Sequence, residues 1–188
     1  MIKELAELIG APVYAEFVPN TVSFPSSHPL FRGSMIRSAP EARKILDEYD
    51  LLFSVGADLF TLSLPHKTDP MPPGMPLIHL DTDPWQIGKS YPAQVGIFGD
   101  PKATLPDITE ATKARMTSGQ RGLARERFHD AKEASMAERE ALKMKARAMA
   151  GKAEAMWAMG NAAGALEAAK AAIAAEVKND PWSSYAHY

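Results

Sequence analysis

Pro76-Leu77-Ile78-His79-Leu80 runs directly into Asp81-Thr82-Asp83-Pro84-Trp85-Gln86-Ile87-Gly88-Lys89, and the architecture follows from this junction. A short apolar run bounded by turn residues reads as a strand buried on both faces, the signature of a parallel sheet. Carboxylates at the carboxyl end of such a strand stand where open α/β sheets bind nucleotides. Upstream, Leu51-Leu52-Phe53-Ser54-Val55 is a second run of this kind and ends in Gly56-Ala57-Asp58. Downstream, Val95-Gly96-Ile97-Phe98 ends in Gly99-Asp100, with a helix expected to start near Asp100-Pro101.

Ile2 to Ile9 has apolar residues at helical spacing and closes at Gly10, as a helix end would. Pro12 to Phe17 reads as a strand, with proline at the position where a missing N–H matters least. The Ser-, Pro- and Gly-rich stretch from Pro19 to Arg37 reads as a long surface loop. Ser38-Ala39-Pro40-Glu41 is a helix start, Ser accepting from an early N–H, and that helix should reach about Tyr49. A second loop, Pro65 to Pro76, is too rich in proline for a regular element. Helices alternating with continuous apolar strands imply an α/β fold with a Rossmann-like parallel sheet and flanking helices.

From Ser118 onward there is no strand candidate. Leu142, Ala146, Met149, Ala153, Met156 and Trp157 recur at three- and four-residue steps, as do Leu166, Ala169, Ile173 and Val177. These describe two amphipathic helices broken around Gly160-Asn161. We therefore divide the chain into an α/β domain, residues 1–117, and an Ala-rich, all-α C-terminal helical linker or extension, residues 118–188. Charge shifts in the same direction: residues 1–100 carry 7 Lys/Arg and 12 Asp/Glu, residues 101–188 carry 14 and 11. So apolar a stripe on the extension needs cover from a neighbouring domain or subunit.

The 188 residues carry a net charge of −2, which argues against nucleic acid and membrane surfaces as partners. The basic run Lys113, Arg115, Arg121, Arg125 and Arg127 has few aromatics and acidic neighbours, and reads as a solvated helix face. With no cysteine there is no thiolate chemistry or disulfide, and no apolar run spans a bilayer. A soluble, cytoplasmic protein is expected. His28, His66, His79, His129 and His187 are scattered without metal-ligand spacing, so no metal site is expected, and His28 reads as a solvated loop histidine.

Four blocks in order, Leu5 to Val13, His28 to Gly33, Asp50 to Ala57, and Leu80 to Lys89 with Gly99-Asp100 beyond, resemble the central domain of thiamine diphosphate-dependent enzymes of the acetolactate synthase and benzoylformate decarboxylase family. The resemblance covers roughly residues 1 to 115. It implies a six-stranded, dinucleotide-fold-like sheet between two thiamine-binding domains, carrying FAD or ADP in some members and purely structural in many. The positions facing such a nucleotide would be Gly56, Asp58, Asp81, Asp83, Gly99 and Asp100. In the intact enzyme it implies thiamine diphosphate with Mg²⁺, 2-oxo acid substrates, neighbouring thiamine-binding domains as partners, and a homo-oligomer.

The sequence departs from that pattern. It starts inside the family's first helix, without the preceding central strand, which implies either a fragment or a rearranged sheet. The family's catalytic Glu and its Gly-Asp-Gly motif belong to the flanking domains, so no catalytic residue is expected here, and thiamine diphosphate is not expected to bind this chain alone. Asp81 and Asp83 also have a local reading, as caps of a helix following Pro84. Gly56 and Gly99 can equally be turn glycines. The alternative to an enzyme fragment is a stand-alone nucleotide-binding or protein-interaction module.

Overall fold

The computed structural model describes residues 1–16, 24–35, 37–60 and 66–177. Helix α1, Ile2–Ile9, ends at Gly10, whose backbone is left-handed at φ 64° and whose N–H caps the Ala6 carbonyl. A Cβ on Gly10 would also lie 2.5 Å from the Ala124 carbonyl oxygen. Glycine is therefore required here twice, by its dihedral and by the close approach of a later helix.

Strand β1, Val13–Ala15, is shorter than expected, and Phe17 lies outside the described residues. Strand β2, Phe31–Ser34, corrects the reading of Pro19 to Arg37 as loop: it pairs parallel with β1. Phe-Arg-Gly-Ser has neither alternation nor strong strand propensity, so its pairing comes from the edge β1 presents. Phe24 and Leu30 of the same segment are buried in the core. Helix α2, Ala39–Leu46, stops short of Tyr49, and the Ser38 side chain makes no cap bond; its carbonyl accepts from Ala42 N–H instead.

Strands β3, Leu52–Val55, β4, Leu77–Asp81, and β5, Val95–Phe98, form a second parallel sheet in the order β3-β4-β5. The molecule is thus α/β, with two parallel sheets flanked by helices. On one face Leu5 of α1 and Leu105 of α3, Pro101–Arg115, pack on Leu80, Phe53, Val55 and Ile97. On the other, Ala42 and Leu46 of α2 pack with Leu77, Leu59, Met35 and Met71. Ile2 of α1 joins both this first cluster and a third, built from Ala6, Phe24, Leu30 and Ala131, so one helix packs against both sheets.

Helix α4, Ser118–Ala158, is 41 residues long and opens with a capping box between Thr117 and Gln120. Its first turns lie on α1: Ala124 and Ala131 are buried, and Phe128 packs against the third cluster. Arg121 fastens this end by donating to the carbonyls of Lys113 and Met116 at 2.7 and 3.2 Å, and Arg139 donates to the Ser27 carbonyl. Gly160, at φ 76°, and Asn161 then break the helix where expected. The Asn161 side chain accepts from Gly164 N–H at 2.9 Å and starts α5, Ala162–Val177.

The seam between α4 and α5 differs from the expected stripe. Ala146, Ala165 and Ala172 are buried, with Leu142, Met149, Ala153 and Met156 half-buried, whereas Trp157, Leu166 and Ile173 are exposed. The Val177 side chain lies outside the described residues. Alanines let two helix backbones approach closely, so α5 turns its small face inward and leaves its larger side chains outside.

Candidate functional site at the carboxyl edge of the β3-β4-β5 sheet

Because β3, β4 and β5 are adjacent and parallel, the segments that follow them emerge side by side. Backbone hydrogen bonds tie these segments together: Gly56 N–H donates to Leu80 carbonyl at 2.9 Å and Gly99 N–H to Asp81 carbonyl at 3.0 Å. Gly56, Asp81 and Gly99 therefore form one continuous rim. Gly56 is left-handed at φ 62° with open space where a Cβ would point, so it is required by its dihedral and leaves the rim accessible.

The four carboxylates are held differently. Asp81 is buried and accepts from Asp83 N–H at 2.8 Å, while Asp83 is exposed and accepts from Trp85 N–H at 2.9 Å. The residues after Asp83 are turns and bends, so these two aspartates shape consecutive Asx turns and cap no helix. Asp100 is the N-cap of α3, accepting from Lys102 N–H at 2.8 Å. Asp58 is exposed, and its own N–H donates to Glu16 Oε2 at 2.7 Å, which ties the end of β3 to the end of β1. Each of the three Asx carboxylates keeps a second oxygen able to accept from a ligand hydroxyl.

Two exposed aromatics flank this rim and were not singled out from the sequence: Trp85 is 84% exposed and Phe98 69%. Such faces can stack on a planar ring. Ser54 and His79 sit directly opposite one another on β3 and β4 and are both buried; Ser54 Oγ and His79 Nε2 find no partner among the described residues. Polar residues at matched positions of two apolar runs were the available signal.

His28 corrects the expectation of a solvated loop histidine. Its side chain is 8% exposed, edge-on to Phe24 and beside Phe128. Nδ1 accepts from Leu30 N–H at 3.2 Å, which places the proton on Nε2, 3.0 Å from Glu7 Oε1. It holds α1 to the segment before β2 and is a packing residue. His187 lies outside the described residues.

The profile of the family described as "Thiamine pyrophosphate enzyme, central domain" matches residues 1–108. The chain belongs to this family. It is 36% identical over 110 residues to a sulfoacetaldehyde acetyltransferase of Castellaniella defragrans, covering 57% of this chain and 18% of that relative. It is likewise 36% identical over 110 residues to an acetolactate synthase of Mycobacterium avium, covering 58% and 17%. Among solved structures it is similar to a thiamine diphosphate-dependent 4-hydroxybenzoylformate decarboxylase of Rhodococcus jostii, with TM-score 0.51, 29% identity, and 57% and 20% of the two chains covered. The chain thus spans about a fifth of the length of the relatives it matches.

The family implies thiamine diphosphate. Among the described residues no three His, Asp or Glu side chains converge to hold a metal ion, and the sequence has no Gly-Asp-Gly. The described residues therefore do not by themselves fit a magnesium-bound diphosphate. No described helix is long and apolar enough to cross a membrane.

Proposed function

We propose that this chain is the architectural central domain of a thiamine diphosphate-dependent decarboxylase or carboligase acting on 2-oxo acids, and that its carboxyl rim takes an adenine nucleotide, FAD or ADP. The parent enzyme is read as a cytoplasmic homo-oligomer in which flanking domains bind Mg²⁺ and thiamine diphosphate. Residues 1–117 form the α/β domain, and residues 118–188 a helical linker toward the following domain. The observation that carries the nucleotide reading is the alignment of three strand ends, with Gly56, Asp58, Asp81, Asp83, Gly99 and Asp100 on adjacent segments and Trp85 and Phe98 exposed beside them.

In this reading Asp83 and Asp100 offer their free oxygens to ribose hydroxyls, and Gly56 allows backbone approach. An aromatic face covers the base. Calorimetric titration of the purified chain with FAD, ADP and thiamine diphosphate plus Mg²⁺ tests it. Heat with FAD or ADP alone, weakened at least about tenfold in Asp83→Ala, is the expected result. Silence with all three leaves a purely structural domain, and tight binding of thiamine diphosphate overturns the assignment of that cofactor to the flanking domains.

A further inference from the structure

Gly96, His79 and Ser54 occupy one row across β5, β4 and β3, since His79 pairs with Gly96 on one side and with Ser54 on the other. Paired residues of parallel strands point to the same face, so this row is a floor on one side of the sheet. Residues 87 and 88 lie on it. Ile87 Cγ2 is 2.7 Å from where a Cβ on Gly96 would stand, which sets Ile87 directly against the backbone of β5. One residue further on, Gly88 N–H donates to His79 Nδ1 at 3.4 Å, which places the ring proton on Nε2. Gly88 is left-handed at φ 72°, as a turn glycine is.

The bond to His79 is one of two ties between residues 82–91 and β4. At the start of the segment Asp81 accepts from Asp83 N–H and Asp83 from Trp85 N–H, at 2.8 and 2.9 Å. At its far side the His79 ring holds Gly88, and Ser90 Oγ donates to the Asp58 carbonyl beyond β3 at 3.4 Å. Between these ties Gln86 N–H donates to the Asp83 carbonyl and Lys89 N–H to the Gln86 carbonyl, at 3.1 and 3.2 Å. Gln86, Ile87 and Gly88 are half-buried, whereas Trp85 beside them is 84% exposed. A free loop closes its tryptophan onto the nearest apolar surface, because burying an indole is favourable. A loop pinned at both ends on one strand does not, and its tryptophan stays available.

We infer that His79 is a positioning residue for nucleotide binding: by holding Gly88 it fixes residues 82–91 as a platform that presents Trp85, the face on which the adenine ring stacks. This rests on the reading of the rim as a nucleotide site. The imidazole is 2% exposed and lies beneath the platform, so it acts through Gly88 and Trp85 and touches no nucleotide. Its Nδ1 acceptor carries the role, since Nε2 has no partner among the described residues. A buried N–H without a partner disfavours folding, so leucine suits this position in the core at least as well. What leucine lacks is an acceptor for Gly88.

The test uses the 188-residue chain, with amide hydrogen exchange read by NMR, the thermal midpoint, and calorimetric titration with ADP and FAD. Asparagine can put its Oδ1 where Nδ1 stands, glutamine carries its amide further out, toward the Nε2 position, and leucine has no acceptor. His79→Leu and His79→Gln are expected to speed exchange at Gly88 and Trp85 about tenfold or more. Both should weaken ADP and FAD about tenfold, with the thermal midpoint of His79→Leu no lower than that of the unchanged chain. His79→Asn is expected to keep the slow exchange, and the affinity within about twofold, although its smaller side chain lowers the midpoint. Trp85→Leu should weaken nucleotide as much as His79→Leu, leave Gly88 protected, and add nothing when the two are combined.

The inference is overturned if Gly88 and Trp85 exchange in His79→Leu as they do in the unchanged chain, or if His79→Asn loosens them as much as His79→Leu. It is also overturned if the two affinity losses add, or if affinity across the His79 variants follows the midpoint and not the protection of Gly88. An unchanged chain that takes up neither ADP nor FAD sinks the nucleotide site itself, and with it the stacking role of Trp85. The exchange of Gly88 and Trp85 then still tells whether His79 holds the platform, so the two failures are distinguishable.

Discussion

The α/β unit and the far half of the α4–α5 hairpin are both packed, but with different side chains. In the α/β unit the buried groups include large ones, Leu30, Leu77, Leu80 and His79, beside the small Ala6, Ala39 and Ala42. In the hairpin they are Ala146, Ala165 and Ala172, while Met136, Met144, Trp157, Met159, Leu166 and Ile173 stand exposed. A buried leucine removes far more apolar area from water than a buried alanine, so the two regions differ in stability per residue although both are regular. At about 1.5 Å per residue, the 41-residue α4 is about 60 Å long, enough to carry the hairpin well beyond the α/β unit. An outlying hairpin with an apolar outer surface suits a linker that gains its remaining cover from another domain.

The sharpest way to break this contrast is Leu80→Ala, at a side chain with 0% exposure. It should cost about 3 kcal/mol and lower the urea midpoint of the α/β unit, followed by tryptophan-independent circular dichroism in the strand region. A loss no greater than that of Ala146→Gly would mean that the two regions are equally consolidated. Next, Gly10→Ala should cost about 2 kcal/mol, because it combines a strained dihedral with a Cβ aimed at the Ala124 carbonyl. It acts on the joint between the regions, so α4 should loosen first, visible as faster amide exchange around Ala124 and Ala131.

Asn161→Ala removes the cap of α5 and should cost about 1 kcal/mol, confined to the hairpin. If the α/β midpoint moves by the same amount, the regions unfold as one and the comparison fails. A smaller effect distinguishes them by pH. Tyr91 is pushed up to about 12, by burial and then by Asp69, and Tyr14 is raised too, by burial and then by its hydrogen bond to Tyr49. The unfolded tyrosine ionises near its ordinary value of 10.0, so this stabilisation is present below that pH and is lost as pH rises through the folded value. The α/β midpoint should fall as pH rises from 10.0 toward 12, and Tyr91→Phe should flatten the fall. Last, Ser54→Ala should change stability by no more than about 1 kcal/mol, and in the favourable direction, because it removes a buried hydroxyl that has no partner among the described residues.

What could be read from the residues depended on how local the cause was. Gly10, Asp100 and Gly160 end or begin helices through bonds to residues within a few positions, and all three were legible. So were Leu77 to Asp81 and the other two strands of the larger sheet, because a continuous apolar run needs no partner to be recognised. The candidate site residues were legible as strand-end positions, but their individual bonding was not. Asp83 was weighed as a helix cap and makes an Asx turn, because the backbone after Pro84 does not go on into a helix. Glu16, Trp85 and Phe98 were missed, since exposure and bridging across sheets depend on elements far apart in the chain.

The residues by themselves determined the period of each segment, its ends and the family to which the four blocks belong, because these rest on short-range sterics, capping and apolar spacing. Tertiary structure decided which faces met. Phe31 to Ser34 became a strand only because β1 offered an edge, and His28 was buried only because Glu7, Phe24 and Phe128 closed round it. Leu166 and Ile173 were left outside because alanines on the opposite side of α5 allow closer contact with α4. In each case two local choices were nearly equivalent, and the one that won was the one whose partner, distant in sequence, could satisfy a hydrogen bond or bury a surface.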